Sequence, residues 1–207
     1  MKYRNLLFLI VLILLLDQCL KIYIKTHFYY GQEVAVLGTW FRLHFIENEG
    51  MAFGMKFGDA SIAKLILTLF RLVAVGFGFY YLKTLVHKGF SKATLICAAL
   101  ILAGAFGNLI DSIFYGKLFS ESSFCLGQWV PWGTGYADLF HGRVVDMLYF
   151  PLLEWTLPAS TPFIGAYTIR FFEPVFNIAD ASISIGVLTL LFFQKRLLTL
   201  PKEVKID

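Results

Sequence analysis

Residues 6–24 read Leu6-Leu-Phe-Leu-Ile-Val-Leu-Ile-Leu-Leu-Leu-Asp17-Gln-Cys-Leu-Lys21-Ile-Tyr-Ile24. Eleven apolar residues are followed by an acid, and then the apolar pattern resumes past it. Cleavage of a signal peptide needs small residues before the cut, and Asp17 and Gln18 are not small. The stretch therefore reads as a retained membrane span of about the 20 residues that a bilayer requires. It also carries two ionisable groups, Asp17 and Lys21, where insertion penalises each by about 2.5–3.5 kcal/mol. A span that keeps such groups keeps them for a reason, and the rest of the chain can be read outward from that point.

The whole chain has the composition of an integral membrane protein. Of its 207 residues 58% are hydrophobic and 15% charged, with a mean hydropathy of +0.70. Soluble domains carry about 25% charge. Disorder, collagen and coiled coil are excluded by the same figures. A net charge of +4 is not massed on one segment, so no nucleic-acid partner is expected. Cys19 and Cys97 fall in apolar runs and read as packing residues, and Cys125 stands alone, so no disulfide framework is expected. Nor do His27, His44, His87 and His141 form a metal-binding spacing, so neither metal nor cofactor is expected.

Three more apolar runs follow, at about 65–86, 93–115 and 174–194. The expectation is an α-helical integral membrane protein, a single membrane domain over 1–207 with four transmembrane helices. Segments 1–4, 83–92 and 195–207 hold nine of the 18 basic residues, whereas the longer connections 25–64 and 116–173 hold seven. Positive residues favour the cytoplasm, which places both termini there and the two long loops outside. In the first loop Glu33–Leu37 and Trp40–Ile46 suggest a small extracytoplasmic β-hairpin joined across Gly38-Thr39. The second is a long extracytoplasmic loop rich in aromatics and proline (Trp129, Pro131, Trp132, Trp155, Pro158, Pro162), residue types suited to the headgroup zone.

The buried polar residues share a level. Asp17, Arg71, Asp111 and Asp180 each lie four to seven residues from the outer end of their run, or roughly 6–11 Å at the helix rise. Asn108 and Asp111 are three apart, as are Asn177 and Asp180, so each pair is expected on one helix face. Lys21 stands four residues after Asp17 and can pair with it. Arg71 reads as structural, and Asp138 and His141 as residues of a solvated loop. Polar residues could simply bind four helices together. Asp146, in the apolar run Val144–Phe150, nevertheless stands out together with Asp180. Two carboxylates in a poorly hydrated site cannot both ionise easily, so one keeps a proton while the other activates water. The chain has neither H-E-x-x-H nor G-x-S-x-G, and no thiol has a His partner in sequence.

Five elements now stand in order: Asp17-Gln-Cys-Leu-Lys21, Asn48-Glu-Gly-Met-Ala-Phe-Gly54, Gly107-Asn-Leu-Ile-Asp111, Val144-Val-Asp146 and Phe176-Asn-Ile-Ala-Asp-Ala-Ser182. Together they resemble the bacterial lipoprotein signal peptidases (type II signal peptidases), over essentially the whole chain. The resemblance implies a catalytic pair of Asp146 and Asp180 in an aspartic endopeptidase. Asn48, Asn108, Asp111 and Asn177 would line the substrate site, and Asp17 and Lys21 would support it. It implies a substrate, a prolipoprotein whose future N-terminal Cys carries a diacylglyceryl group and is cut just before that Cys. It also implies residence in the bacterial cytoplasmic (inner) membrane, among membrane lipid. Ser112 departs from the family, which usually has Arg there, and Arg71 and Arg143 are the available substitutes. Segments 117–142 and 151–173 look longer than in compact members.

Two other classes compete. A small proton-coupled transporter would use buried Asp residues to bind and release protons. Against it, no repeat is visible and the ionisable groups cluster at one leaflet. A non-enzymatic assembly factor would explain the aromatic loops but not two Asn-x-x-Asp spacings.

Overall fold

The computed structural model describes residues 1–49, 60–151, 153–158, 160, 168–171 and 174–197. Gly50–Gly54 of the second motif lie outside the described residues, as do Lys56, Pro162, Lys202 and Lys205.

Helix α1 runs over Tyr3–His27, α2 over Ala60–His87 and α3 over Lys92–Ile110. The last continues through a π-helical turn, Asp111–Tyr115, into a short α4, Gly116–Leu118. Three stretches, Tyr3–His27, Ser61–His87 and Lys92–Leu118, are long and apolar enough to cross a membrane. The apolar runs expected at 6–24, 65–86 and 93–115 thus extend by up to about a turn at each end, because helix geometry continues through Lys25, Ser61 and Lys117 once the neighbouring segments pack there. Strand β1 (Glu33–Leu37) pairs antiparallel with β2 (Phe41–Asn48). This is the expected hairpin, but it is not isolated. Strand β3 (Val144–Tyr149) pairs antiparallel with β2, and β6 (Val175–Phe176) with β3, giving the order β1-β2-β3-β6. Strands β4 (Leu153–Thr156) and β5 (Thr168–Phe171) form a separate pair.

The fourth apolar run differs from the expected 174–194. Val175 and Phe176 are drawn into the sheet, and helix α5 begins only at Ile178 and ends at Phe192, followed by a short α6, Gln194–Leu197. The start is set by Asn177, whose side chain accepts from the Asp180 N–H while Asp180 accepts from the Asn177 N–H. Such a capping box satisfies two of the backbone donors that a helix N-terminus leaves open. Asn177 and Asp180 therefore do not share a helix face; they form the helix start itself.

Helix α3 is the axis of the bundle. Half of its apolar window is buried, against 22% for α1 and 17% for α2. Small residues let α5 and α1 approach it closely: a Cβ at Gly104 would stand 2.1 Å from the Ala179 carbonyl oxygen of α5, and one at Gly107 would stand 2.9 Å from Asp17 Oδ2 of α1. With lipid outside, close contact of this kind replaces the hydrophobic effect as the force between helices. One apolar core joins the helices through Leu6, Ile10, Val75, Leu82, Leu102 and Leu109. A second lies under the sheet, with Phe28, Phe45, Tyr115, Phe119, Val145 and Met147. The polar residues of interest sit at the junction between the two.

Segment 119–143 is strapped to the helices, although Asp138 within it stays exposed to solvent as expected. Gly127 N–H donates to the Lys25 carbonyl at 3.0 Å, and Gly142 N–H to that of Ser112 at 2.9 Å. His141 Nε2 lies 3.1 Å from Ser61 Oγ, tying the segment to the start of α2, while Asp138 pairs with Lys117 at 2.6 Å. Cys97 is buried as expected, but Cys19 is exposed on the flank of α1.

Candidate functional site

The site is assembled from five elements around one lysine. Lys21, fully buried on α1, reaches Asp17 Oδ2 at 2.9 Å, Asp111 Oδ2 at 2.7 Å and Asn108 Oδ1 at 2.8 Å. Each of its carboxylate partners also holds a backbone. Asp17 Oδ1 accepts from the Ala179 N–H at 2.9 Å, and Asp111 Oδ2 from the Val145 N–H at 3.4 Å. Those amides directly precede Asp180 and Asp146. One lysine with two carboxylates thus grips the two chain segments that carry the remaining aspartates.

Asp146 and Asp180 are joined through asparagines. The Asn177 side-chain amide donates to Asp146 Oδ1 at 2.6 Å and to Asn108 Oδ1 at 3.1 Å. Asn108 in turn donates to Asp180 Oδ1 at 2.7 Å, and Asn48 to Asp146 Oδ2 at 3.3 Å. Asp146 is only 2% exposed, on a strand, while Asp180 is partly open. Burial, together with the nearby charge of Asp180, pushes the Asp146 carboxyl up to about 7. That places it at the pH where a carboxyl can hold and release a proton.

Asp180 and Asn108 open onto a groove of about 810 Å³ between α2, α3 and α5. It is lined almost throughout by apolar side chains, among them Ala74, Gly78, Leu102 and Ile183, and it runs to Phe90 and Thr94 at the opposite end. Arg71, read from the sequence as structural, lines the same groove. Arg143 lies elsewhere, held by carboxylates at the sheet end. Among the described residues no group of three or more His, Cys, Asp or Glu could hold a metal ion.

The profile of the family described as Signal peptidase (SPase) II matches residues 9–195. The chain belongs to the signal peptidase II family. A protein of Porphyromonas gingivalis named Lipoprotein signal peptidase is 51% identical, over 93% of this chain and 83% of its own length. Another of that name, from Amoebophilus asiaticus, is 36% identical over 90% of this chain and 75% of its own. A solved structure titled as a bacterial membrane enzyme, obtained by the in meso method, superposes with a TM-score of 0.55 at 22% identity, covering 98% of this chain and 94% of that one. The fold is therefore that of a multi-pass membrane enzyme, and membership makes the chain a signal peptidase. The transporter reading finds no support.

The structure brings together all eight residues singled out from the sequence: Asp17, Lys21, Asn48, Asn108, Asp111, Asp146, Asn177 and Asp180. One was missed. Gln18 donates to Asp111 Oδ1 at 2.8 Å and accepts from the Tyr115 hydroxyl at 3.1 Å, closing the open side of the lysine cluster. Its signal was a polar amide beside Asp17 inside an apolar run.

Proposed function

We propose that this signal peptidase II is an aspartic endopeptidase with Asp146 and Asp180 as its catalytic pair, cutting diacylglyceryl-modified prolipoproteins just before the lipidated Cys. The observation that carries the reading is the convergence of a strand aspartate and a helix-start aspartate on a bridge of two asparagines, Asn177 and Asn108, at the mouth of an apolar groove. Asp146, with its raised pKa, holds the proton, gives it to the scissile carbonyl oxygen as water attacks, and takes it back as the intermediate collapses. Asp180, ionised, removes a proton from the attacking water. As the tetrahedral intermediate collapses, Asp180 passes that proton to the leaving amine. Asn108, Asn177 and Asn48 hold the carboxyls in place, and Asp17, Lys21 and Asp111 support them from behind.

The groove suits an apolar guest. Each buried CH₂ contributes about 0.8 kcal/mol, so a diacylglyceryl group would fix the register of a segment that could otherwise slide. We place the enzyme in the bacterial cytoplasmic membrane as one domain. Helix α5 makes a fourth crossing, both termini are cytoplasmic, and the sheet lies at the outer face. The exposed Trp40, Trp129, Trp132 and Trp155 support that placement, since tryptophan favours the interface.

Purified enzyme given a diacylated prolipoprotein and its unlipidated counterpart in the same detergent tests the reading. Strong preference for the lipidated substrate in kcat/KM is expected. Equal values would remove lipid-directed positioning and leave a general intramembrane protease.

A further inference from the structure

Beside the lysine cluster, at the sheet end, lies a second ring of charges that the chemistry above does not use. Arg143, the residue before β3, donates from Nε to Glu49 at 2.9 Å and from Nη1 to Glu121 at 2.8 Å and Glu47 at 3.2 Å. Its guanidinium lies over the Tyr136 ring, 5.1 Å from the centroid. Lys64 of α2 binds Glu49, and Lys25 of α1 binds Glu47. Three cations thus meet three carboxylates. All three arginine contacts are charge-assisted, the stronger kind of hydrogen bond. Burial acts to lower the Arg143 pKa, but its bonds to Glu121, Glu49 and Glu47 prevail and raise it.

The ring's location gives it reach. Glu47 and Glu49 flank Asn48, whose amide lies on Asp146 Oδ2. In the β2–β3 register Asn48 stands opposite Val144 and Ile46 opposite Asp146. Arg143 therefore clamps the residues on either side of Asn48 to the start of the strand that carries Asp146. At 3.3 Å the Asn48 contact is near the limit for a hydrogen bond, so a shift of a few tenths of an ångström would lose it.

We propose that Arg143 is a positioning residue which, through Glu47 and Glu49, keeps the Asn48 amide on Asp146 and so sets the reactivity of the aspartate pair. The proposal rests on the reading of Asp146 as catalytic. It gives Arg143 a role distinct from that of Arg71, which lines the groove.

The groups that act on Asp146 are Asn48 from β2, Asn177 and Asp180 from the start of α5, and Lys21 from α1. The Asn48 bond is one of those that hold its carboxyl down. Loss of that bond should move the alkaline limb of kcat to higher pH.

The test measures kcat, KM and the kcat–pH profile on diacylated prolipoprotein for purified Arg143→Gln, Arg143→Lys, Asn48→Ala and the Arg143→Gln/Asn48→Ala double variant. The expected result for Arg143→Gln is a kcat lower by about tenfold, KM within about twofold and an alkaline limb moved upward. Arg143→Lys should recover part of the loss, and the double variant should be no worse than Asn48→Ala, because both act through one contact. A wild-type profile for Arg143→Gln, or additive losses in the double variant, would overturn the proposal. If Arg143→Gln does not fold, Glu49→Gln removes a single arm of the ring, and an unmoved limb in that variant overturns it equally. An active Asp146→Asn would instead defeat the underlying assignment of the pair. An inactive Asp146→Asn beside a normal Arg143→Gln would defeat this inference alone.

Discussion

Among the described residues, two charge clusters differ in burial and in balance. At the sheet end, Lys25, Lys64 and Arg143 face Glu47, Glu49 and Glu121, three against three. Within the bundle stand four carboxylates, Asp17, Asp111, Asp146 and Asp180, with one fully buried lysine, Lys21, that pairs with the first two, and Arg71 at the groove that Asp180 also lines. A balanced cluster is satisfied and holds chain segments together. A cluster with surplus carboxylate must store a proton, because buried like charges cannot all ionise. On the proposed function, the difference separates a fastening from the reactive centre by counting charges.

The sharpest way to break the comparison is to remove the surplus. Asp146→Asn and Asp180→Asn should each lower kcat by about 10²–10⁴-fold, the usual contribution of a positioned acid or base, while the protein still inserts and folds. Turnover by the purified variants decides it. Near-normal cleavage by either would show that the surplus is structural.

Removing the shared cation should be felt in stability. Lys21→Met leaves Asp17 and Asp111 buried against each other, and breaking a buried pair in this way costs about 3–5 kcal/mol. Thermal unfolding in detergent should show a lower Tm. Part of the loss should return in Lys21→Met/Asp111→Asn, which removes one of the stranded charges. Activity should fall as well, since both carboxylates grip the amides ahead of Asp180 and Asp146. An unchanged Tm would mean that the lysine is not the keystone of this cluster.

Much of this centre was legible in the sequence because polar residues in an apolar run are conspicuous. Asp17, Lys21, Asn108 and Asp111 announce themselves against Leu, Ile and Ala, and the helix rise puts them at a common depth. What misled was local geometry. Val144–Tyr149 is covered on both faces, so it lacks the alternation that marks a half-buried strand, and nothing in it distinguishes strand from span. Asn177 and Asp180 have the spacing of a helix face and also of a capping box. Only the pairing of Val175 and Phe176 with β3 fixes which one forms. The balanced ring was invisible for another reason. Lys25, Glu47, Glu121 and Arg143 lie in stretches where charge is ordinary, and Arg143 pairs with Glu47 across 96 residues.

A smaller effect follows from the proton that the carboxylate-rich cluster stores. The Asp146 carboxyl is raised from its ordinary value near 3.8 to about 7 by burial and by Asp180. Between those values the folded protein binds more protons than the unfolded chain, so stability falls as pH rises through the interval. Acidification from pH 8 towards pH 5 should therefore stabilise the enzyme, whereas a paired, depressed carboxylate would give the opposite slope. Asp146→Asn should flatten the slope and raise stability at pH 8 by about 1–3 kcal/mol. Unfolding measured across this pH range tests both signs. A variant with the wild-type slope would remove Asp146 as its source.

The smallest effect belongs to a balanced charge pair that stands apart from both clusters. On the β1–β2 hairpin, Arg42 Nη1 reaches Glu33 Oε1 at 2.5 Å, with the two side chains 23% and 32% exposed. Arg42 also donates from Nε to the Thr39 carbonyl at 3.1 Å, so the pair braces the turn between the strands. Water and salt screen such a pair, and fixing two long side chains costs entropy, which leaves about 0–1 kcal/mol. The Arg42→Ala/Glu33→Ala double variant should thus shift Tm slightly and leave kcat and its pH profile unchanged. A loss of activity comparable to that of Arg143→Gln would show that the hairpin passes strain along β2 to Asn48. Charge balance would then no longer separate the regions of this molecule, and the distance along β2 from the site would take its place.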